Sequence, residues 1–367
     1  MGMIQHIPEI HVLWAQSNIH REKTKTNKTK KIILTLLSIL FALIFIFTGT
    51  ISSYKFLNDS ISRATYRAVQ SDALKQENEG SSVQYEGDED PPPFEVDFEE
   101  LWKTNEDVVA WVYIPCIECS YPIMYSGDND YYVHRDINKN YLFSGSLFMD
   151  RFCNPNFNSP NTVIYGHNML NGSMFGILWY IPDKGYADEY PYFWVFTPGK
   201  TYRYKIFTAF ETDKTSEAFK VFSQNGDGFE DWCFRMRNYS YIDTGSYIFN
   251  NESKIVTLTT CGANSWYRII VSGIREKEYD TRNLIVPEHT LKPDENTPRE
   301  IRYEEIPDYD YDEILRDPLL YKCFALMLIL FLVSALIVIL TSRRKTRQHP
   351  PDDTPDDNNT DDLKLPG

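Results

Sequence analysis

From Ile32 to Tyr54 the chain carries no charged residue, and IILTLLSILFALIFIFTGTI is almost unbroken apolar sequence. About 20 such residues cross the hydrocarbon core of a bilayer, whereas a cleaved signal peptide has an apolar region of roughly 7–15. The run therefore reads as an uncleaved anchor. A second uncharged run, Cys323 to Ser342, is also long enough to cross. Basic residues flank the two runs on opposite sides: Arg21, Lys23, Lys25, Lys28, Lys30 and Lys31 precede the first, and Arg343, Arg344, Lys345 and Arg347 follow the second. The excess of Lys and Arg on cytoplasmic flanks places both termini inside the cell membrane and the chain from about residue 55 to 320 outside it. At 42% hydrophobic residues overall, the rest of the chain is too polar for a polytopic bundle.

The expected layout follows from this topology. Residues 1–31 are a basic cytoplasmic segment, 32–54 and 319–342 are transmembrane helices, and 343–367 is a cytoplasmic tail, basic and then acidic and disordered. Residues 55–93 read as a polar stalk, helical over Ser60 to Gln76 and ending in GDEDPPPFE; removing it is expected to leave turnover nearly unchanged. Residues 286–318 are an acidic, Pro-rich connector containing YEEIPDYDYDE. The net charge of −15 argues against a nucleic-acid partner. Much of it sits in linkers and tail, so it says little about a substrate.

Between 94 and 285 the chain becomes a series of short β-rich runs separated by turn residues: VVAWVYIP at 108–115, YPIMYS at 121–126, GSLFMD at 145–150, NTVIYGH at 161–167, YFWVFTPGKTYRYKIFTAFE at 192–211, KIVTLTTC at 254–261 and YRIIVSGI at 267–274. Pro198-Gly199 marks a hairpin. Helical spacing appears only at Ser173–Tyr180 and Gly228–Arg237. So many short strands predict a closed or nearly closed β-barrel with helical insertions.

The reactive side chains narrow the chemistry. The segment between the apolar runs holds three histidines, and of these His167 directly follows a strand and a glycine that permits a sharp exit. Cys261 also ends a strand, and Arg268 opens the next one seven residues later. If those strands are antiparallel neighbours, the thiol and guanidinium emerge at one end of the sheet. A thiol is a weak nucleophile until a cation or base favours its thiolate. A histidine can return a proton to a leaving amine, and an arginine can stabilise an oxyanion. A cysteine at a strand end is more often a small buried hydrophobe, so spacing alone leaves both readings open. Outside the membrane lie Cys116, Cys119, Cys153, Cys233 and Cys261, an odd number that leaves at least one thiol unpaired. Cys116-Ile-Glu-Cys119 has no second such pair to complete a zinc site, and no metal or other cofactor is expected.

TLTTC, with an Arg seven residues on and then RIIV, resembles the active-site segment of sortases, and NTVIYGHNMLNGSMFG resembles the histidine segment of class B sortases. NEDVVAWVYIP, YPIMYSGDNDYYVHRD and GSLFMD follow the same pattern in order, from about residue 94 to 280. The resemblance implies a mainly β fold, a sortase-like eight-stranded barrel with helical insertions flanked here by two transmembrane helices. It implies Cys261 as nucleophile, His167 as acid/base and Arg268 as oxyanion stabiliser, with a long helix at 229–245 before the cysteine strand. Thr259 and Thr260 are expected to orient substrate or Arg268, or to be ordinary strand residues. The implied activity is transpeptidation at the cell surface of Gram-positive bacteria. A C-terminal sorting motif of a surface protein is cleaved, a thioacyl enzyme forms, and the acyl group passes to an amine of a peptidoglycan cross-bridge or lipid-linked precursor. The alternatives are a pilin-polymerising sortase using a pilin lysine, a non-catalytic cell-wall-binding or scaffold module, and a cysteine peptidase. Two features depart from class B: the second anchor, and the cysteines of CIEC in place of a Gly-containing turn. DEDPPPF, with Asp90, Pro91 and Phe94, is read as a linker, a lid role being the weaker reading.

Overall fold

The computed structural model describes residues 7–75, 91–184, 186–222, 228–243, 245–261, 266–281 and 318–347. Two compact units are present, Met1–Ser53 with Asp312–Gly367, and Tyr54–Tyr311.

In the first unit the apolar run lies within a long helix, α1 (Ile7–Ala73). Its large side chains point outward, Phe41 and Phe45 each 72% exposed, which in water would be costly and in lipid is favourable. Hydroxyls in the run bond back to carbonyls one turn earlier, Thr35 to Lys31 at 2.9 Å and Ser38 to Leu34 at 2.8 Å, which satisfies them within the helix. By length and composition α1 is a candidate membrane span. The second apolar run is also helical, within Pro318–Arg347 near the C-terminus. Its described apolar stretch, Ala325–Leu340, is shorter than a full span, so one helix rather than two meets that test among the described residues.

The second unit is built on eight strands that close into a barrel. A two-stranded ribbon, β1 (Leu74–Lys75) with β2 (Glu95–Val96), precedes it, followed by helix α2 (Phe98–Thr104), capped by Asp97. The barrel strands are β3 (Val108–Ile114), β4 (Cys119–Met124), β5 (Leu147–Met149), β6 (Asn161–Tyr165), β7 (Tyr192–Phe196), β8 (Lys200–Asp213), β9 (Ile255–Cys261) and β10 (Tyr267–Asp280). Their order around the barrel is β10-β8-β7-β3-β4-β5-β6-β9, with β4/β5 and β6/β9 parallel and the remaining pairs antiparallel. Apolar runs such as VVAWVYI are buried at every position but Tyr113, so the strand is covered on both faces. Trp111, Tyr165, Phe193, Tyr204 and Phe207 are among the largest fully buried side chains.

The expected hairpin at Pro198-Gly199 is present, with Phe196 opposite Thr201. The CIEC stretch is a turn: Pro115–Ile117 forms a single 3-10 turn, Glu118 takes a left-handed φ of 49°, and β4 starts at Cys119. Cys116, Cys119, Cys153 and Cys233 are free and buried. The short helices α3 (Tyr180–Lys184) and α4 (Tyr186–Glu189) lead into β7. Helix α5 (Phe229–Asn238) packs Phe229, Trp232, Cys233 and Met236 inward and ends at residue 238, shorter than the long helix expected over 229–245. The helix expected at Ser173–Tyr180 is not formed. Its amides bond three residues back, Gly176 to Ser173 and Leu178 to Phe175, while Phe175 reaches across to the His167 carbonyl. The segment is thus a series of turns with three-residue closure in place of the i to i−4 ladder.

The segment read as a stalk departs most from expectation. The part of α1 from Tyr54 on belongs with the barrel, and Ser62, Tyr66 and Ala73 are buried on one helical face. Phe94 of the DEDPPPF stretch stacks on Phe196 at 4.6 Å and meets Tyr113 edge-on at 5.2 Å. That seats it on β3 and β7, across the barrel order from the β6/β9 pair. Asp90, the connector from 286 to 317 and the tail beyond 347 lie outside the described residues.

Candidate active site

Cys261 is the last residue of β9 and lies directly opposite Arg268 in the β9/β10 ladder. The seven-residue spacing read from the sequence thus becomes a facing pair at one end of the sheet. Arg268 is fully buried, faces Thr212 of β8 on its other side, and donates from a guanidinium nitrogen to the Tyr267 carbonyl at 3.1 Å. A charge kept wholly out of water is costly, and a guanidinium is retained in such a place where its donors have an oxygen to meet.

His167 arrives from β6. That strand runs parallel to β9, with Tyr165 opposite Thr259 and the Gly166 amide donating to the Thr259 carbonyl at 3.1 Å. Two residues beyond that pair on each strand are His167 and Cys261, so parallel pairing brings both to the same rim. Gly166 is required at the exit: a Cβ there would stand 2.3 Å from the Leu147 side chain and 2.6 Å from the Phe175 ring.

The His167 ring is buried, 5% exposed, between His134 at 5.1 Å and Phe143 at 5.8 Å, centroid to centroid. Its Nε2 lies 2.8 Å from the Val133 carbonyl oxygen, which can only accept, so Nε2 carries the proton and Nδ1 is the basic nitrogen of the neutral ring. His134 donates from Nδ1 to the Phe143 carbonyl at 3.0 Å. Burial above all, and then the neighbouring His134, push the His167 pKa down to about 3, against the opposing pull of the Val133 carbonyl. His167 is therefore neutral at physiological pH, a base rather than a resting imidazolium.

Thr259 and Thr260 are both fully buried, and alternation along β9 sends them to opposite faces. Neither hydroxyl has a hydrogen-bond partner among the described residues. Five residues singled out in the sequence thus lie on or beside one strand end, and the structure adds Val133, His134 and Phe143. The loop that carries those three has a visible sequence pattern, YYVHRD. Its carbonyl contact with a ring 34 positions away leaves no sequence signal. Among the described residues no group of His, Cys, Asp or Glu side chains is arranged to hold a metal ion.

The barrel is closed and mixed, with a cysteine and an arginine opposite each other in the ladder at one strand end and a histidine leading off the parallel neighbour, residue types that suit acyl transfer through a thiol. The sortase-domain family model matches residues 112–276. Sortase B of Listeria monocytogenes is 34% identical over 180 residues, which cover 47% of this chain and 72% of that protein. Sortase B of Staphylococcus aureus is 24% identical over 229 residues, covering 62% and 89%. The crystal structure of sortase B from B. anthracis in complex with AAEK1 superposes with a TM-score of 0.51 at 21% identity, covering 60% of this chain and all of that one, a likeness of fold. The chain belongs to the sortase family, whose members are cysteine transpeptidases, and its relatives are class B sortases.

Proposed function

We propose that this protein is a membrane-tethered transpeptidase that cleaves a C-terminal sorting motif of surface proteins and transfers the acyl group to a cell-wall amine. The observation that carries the reading is the facing pair of Cys261 and Arg268 at the end of β9, beside the strand that leads into His167. The Cys261 sulfur attacks the motif carbonyl as neutral His167 takes the thiol proton, and Arg268 donates to the oxygen that becomes negative. As the tetrahedral adduct collapses, the C–N bond breaks and imidazolium returns that proton to the leaving amine. The incoming amine attacks the thioester, gives its proton to His167, and the thiolate departs. Thr259 and Thr260, buried on either side of β9, support the strand end and the position of Arg268 rather than touching substrate.

In this reading the catalytic domain occupies 94–285 on the outer surface, spans at 32–54 and 319–342 hold it to the membrane, and both termini are cytoplasmic. Tethering keeps the barrel where emerging substrates and lipid-linked acceptors are concentrated. The test uses the purified full chain with a panel of sorting-motif peptides and a glycine- or diaminopimelate-containing amine, read by mass spectrometry. A ligated product that disappears in Cys261→Ala is expected. Cleavage without ligation would make the protein a peptidase, and the absence of both product and thioacyl adduct would point to a binding module.

A further inference from the structure

The loop that supplies the Val133 carbonyl is a narrow hairpin pinned at several rungs. The Ser146 amide donates to the Tyr132 carbonyl at 3.1 Å and the Leu142 amide to the His134 carbonyl at 3.0 Å. The Ser146 hydroxyl donates to the Arg135 carbonyl at 2.7 Å. The two sides approach so closely that Gly145, at a φ of +54°, has no room for a Cβ: it would lie 2.1 Å from the Val133 oxygen. Any shift of 144–146 is therefore passed to Val133, and through its carbonyl to His167.

What holds 144–146 from behind is helix α1. The Tyr66 hydroxyl, on a side chain only 3% exposed, donates to the Gly145 carbonyl at 2.8 Å and lies 2.8 Å from the Ser146 hydroxyl. One turn earlier the Ser62 and Ser144 hydroxyls are 2.7 Å apart. Burial raises the Tyr66 pKa, so the phenol stays a protonated donor. A third contact of the same helix goes elsewhere: Gln70 donates to the Ser120 carbonyl of β4 at 2.7 Å, holding the helix to the barrel without touching the hairpin.

We propose that the barrel-docked part of α1 is a positioning element for His167, with Tyr66 as the positioning residue that fixes the 132–146 hairpin and hence the Val133 carbonyl. This replaces the reading of 55–93 as a dispensable stalk, and it rests on His167 being the acid/base of the proposed reaction. The hydrogen bond from Nε2 sets which nitrogen of the ring is basic and where it points. A small displacement of a reacting group lowers the rate without weakening substrate binding.

The experiment compares Tyr66→Phe with Gln70→Ala in the full chain in detergent. Tyr66→Phe removes one hydroxyl and keeps the buried ring; Gln70→Ala removes a helix–barrel bond of similar length that avoids the hairpin. Hydrogen exchange is followed by mass spectrometry at the backbone amides of 131–146 and at the Cε1–H of His167, together with kcat and KM. Tyr66→Phe is expected to speed exchange at both places by about threefold or more, with Gln70→Ala at the wild-type rate. It is also expected to lower kcat about tenfold with KM little changed. Exchange in Tyr66→Phe equal to wild type, or raised equally in both variants, would overturn the proposal. The exchange readout needs no turnover, so a chain that fails to ligate any peptide would count against the proposed function and leave this test intact.

Discussion

Acidification from about pH 8 to pH 5 perturbs His167 in a way that separates its protonation from its packing. In the folded chain its pKa is pushed down from 6.5 to about 3, first by burial and then by His134. In the unfolded chain the ring has its ordinary value, so below about pH 6.5 the unfolded state binds a proton that the folded state refuses. Stability is therefore complete above the unfolded value, falls as the pH drops through the window between the two values, and levels off near the lower one. Integrating the one-proton difference from pH 8 to pH 5 gives a loss of about 2 kcal/mol attributable to this ring. The assay is urea unfolding of the full chain in detergent, followed by tryptophan fluorescence, at both pH values for wild type and His167→Gln. The variant has its own stability, but only the difference of differences matters, and other titrating groups cancel in it. The wild type is expected to lose about 2 kcal/mol more than the variant. Parallel losses in the two proteins would refute the claim that His167 is held neutral, and with it the assignment of a base rather than a resting imidazolium.

Arg268→Lys retains a positive charge but not the planar fork of donors, and kcat is expected to fall about a hundredfold or more in the ligation assay. An unchanged kcat would remove Arg268 from the oxyanion role. Burial pushes the thiols of Cys116 and Cys233 up to about 12 and raises those of Cys119 and Cys153 as well. Iodoacetamide near neutral pH should leave those four unmodified while labelling Cys261, and peptide mapping showing rapid labelling of Cys116 or Cys119 would contradict their burial. Gly145→Ala places a methyl group against the Val133 carbonyl at a left-handed φ, with an expected cost of roughly 2 kcal/mol and a loss of activity at temperatures where the fold persists. Thermal melting and kcat on the same preparation check it; wild-type values of both would show that the hairpin gives way freely.

Features that depend on neighbours along the chain were legible without coordinates. An uncharged run of about 20 residues is a property of composition, and Ile32–Tyr54 lies in a helix whose apolar side chains face outward. The strands around Val108–Ile114, Asn161–Tyr165 and Ile255–Cys261 were marked by β-branched and aromatic runs between turn residues. Cys261 and Arg268 were placed correctly because a short connection between antiparallel strands converts sequence spacing into a facing pair.

The remainder was decided by contacts between segments far apart in the chain. Parallel pairing of β6 with β9 brings His167 to the Cys261 end, and no local pattern distinguishes a parallel from an antiparallel partner. Helical spacing at Ser173–Tyr180 gave way to turns, the Gly176 and Leu178 amides bonding three residues back rather than four. The protonation state of His167 depends on the depth of burial and on His134 and the Val133 carbonyl, none of which a local motif encodes. The polar composition of the stretch after residue 55 signalled contact with solvent, but Ser62 and Tyr66 are polar residues whose hydroxyls meet carbonyl and hydroxyl partners 79 to 82 positions away. Sequence reports a residue's own preference for water or oil; whether a polar group finds its partner in solvent or in another part of the chain is settled only when the chain closes on itself.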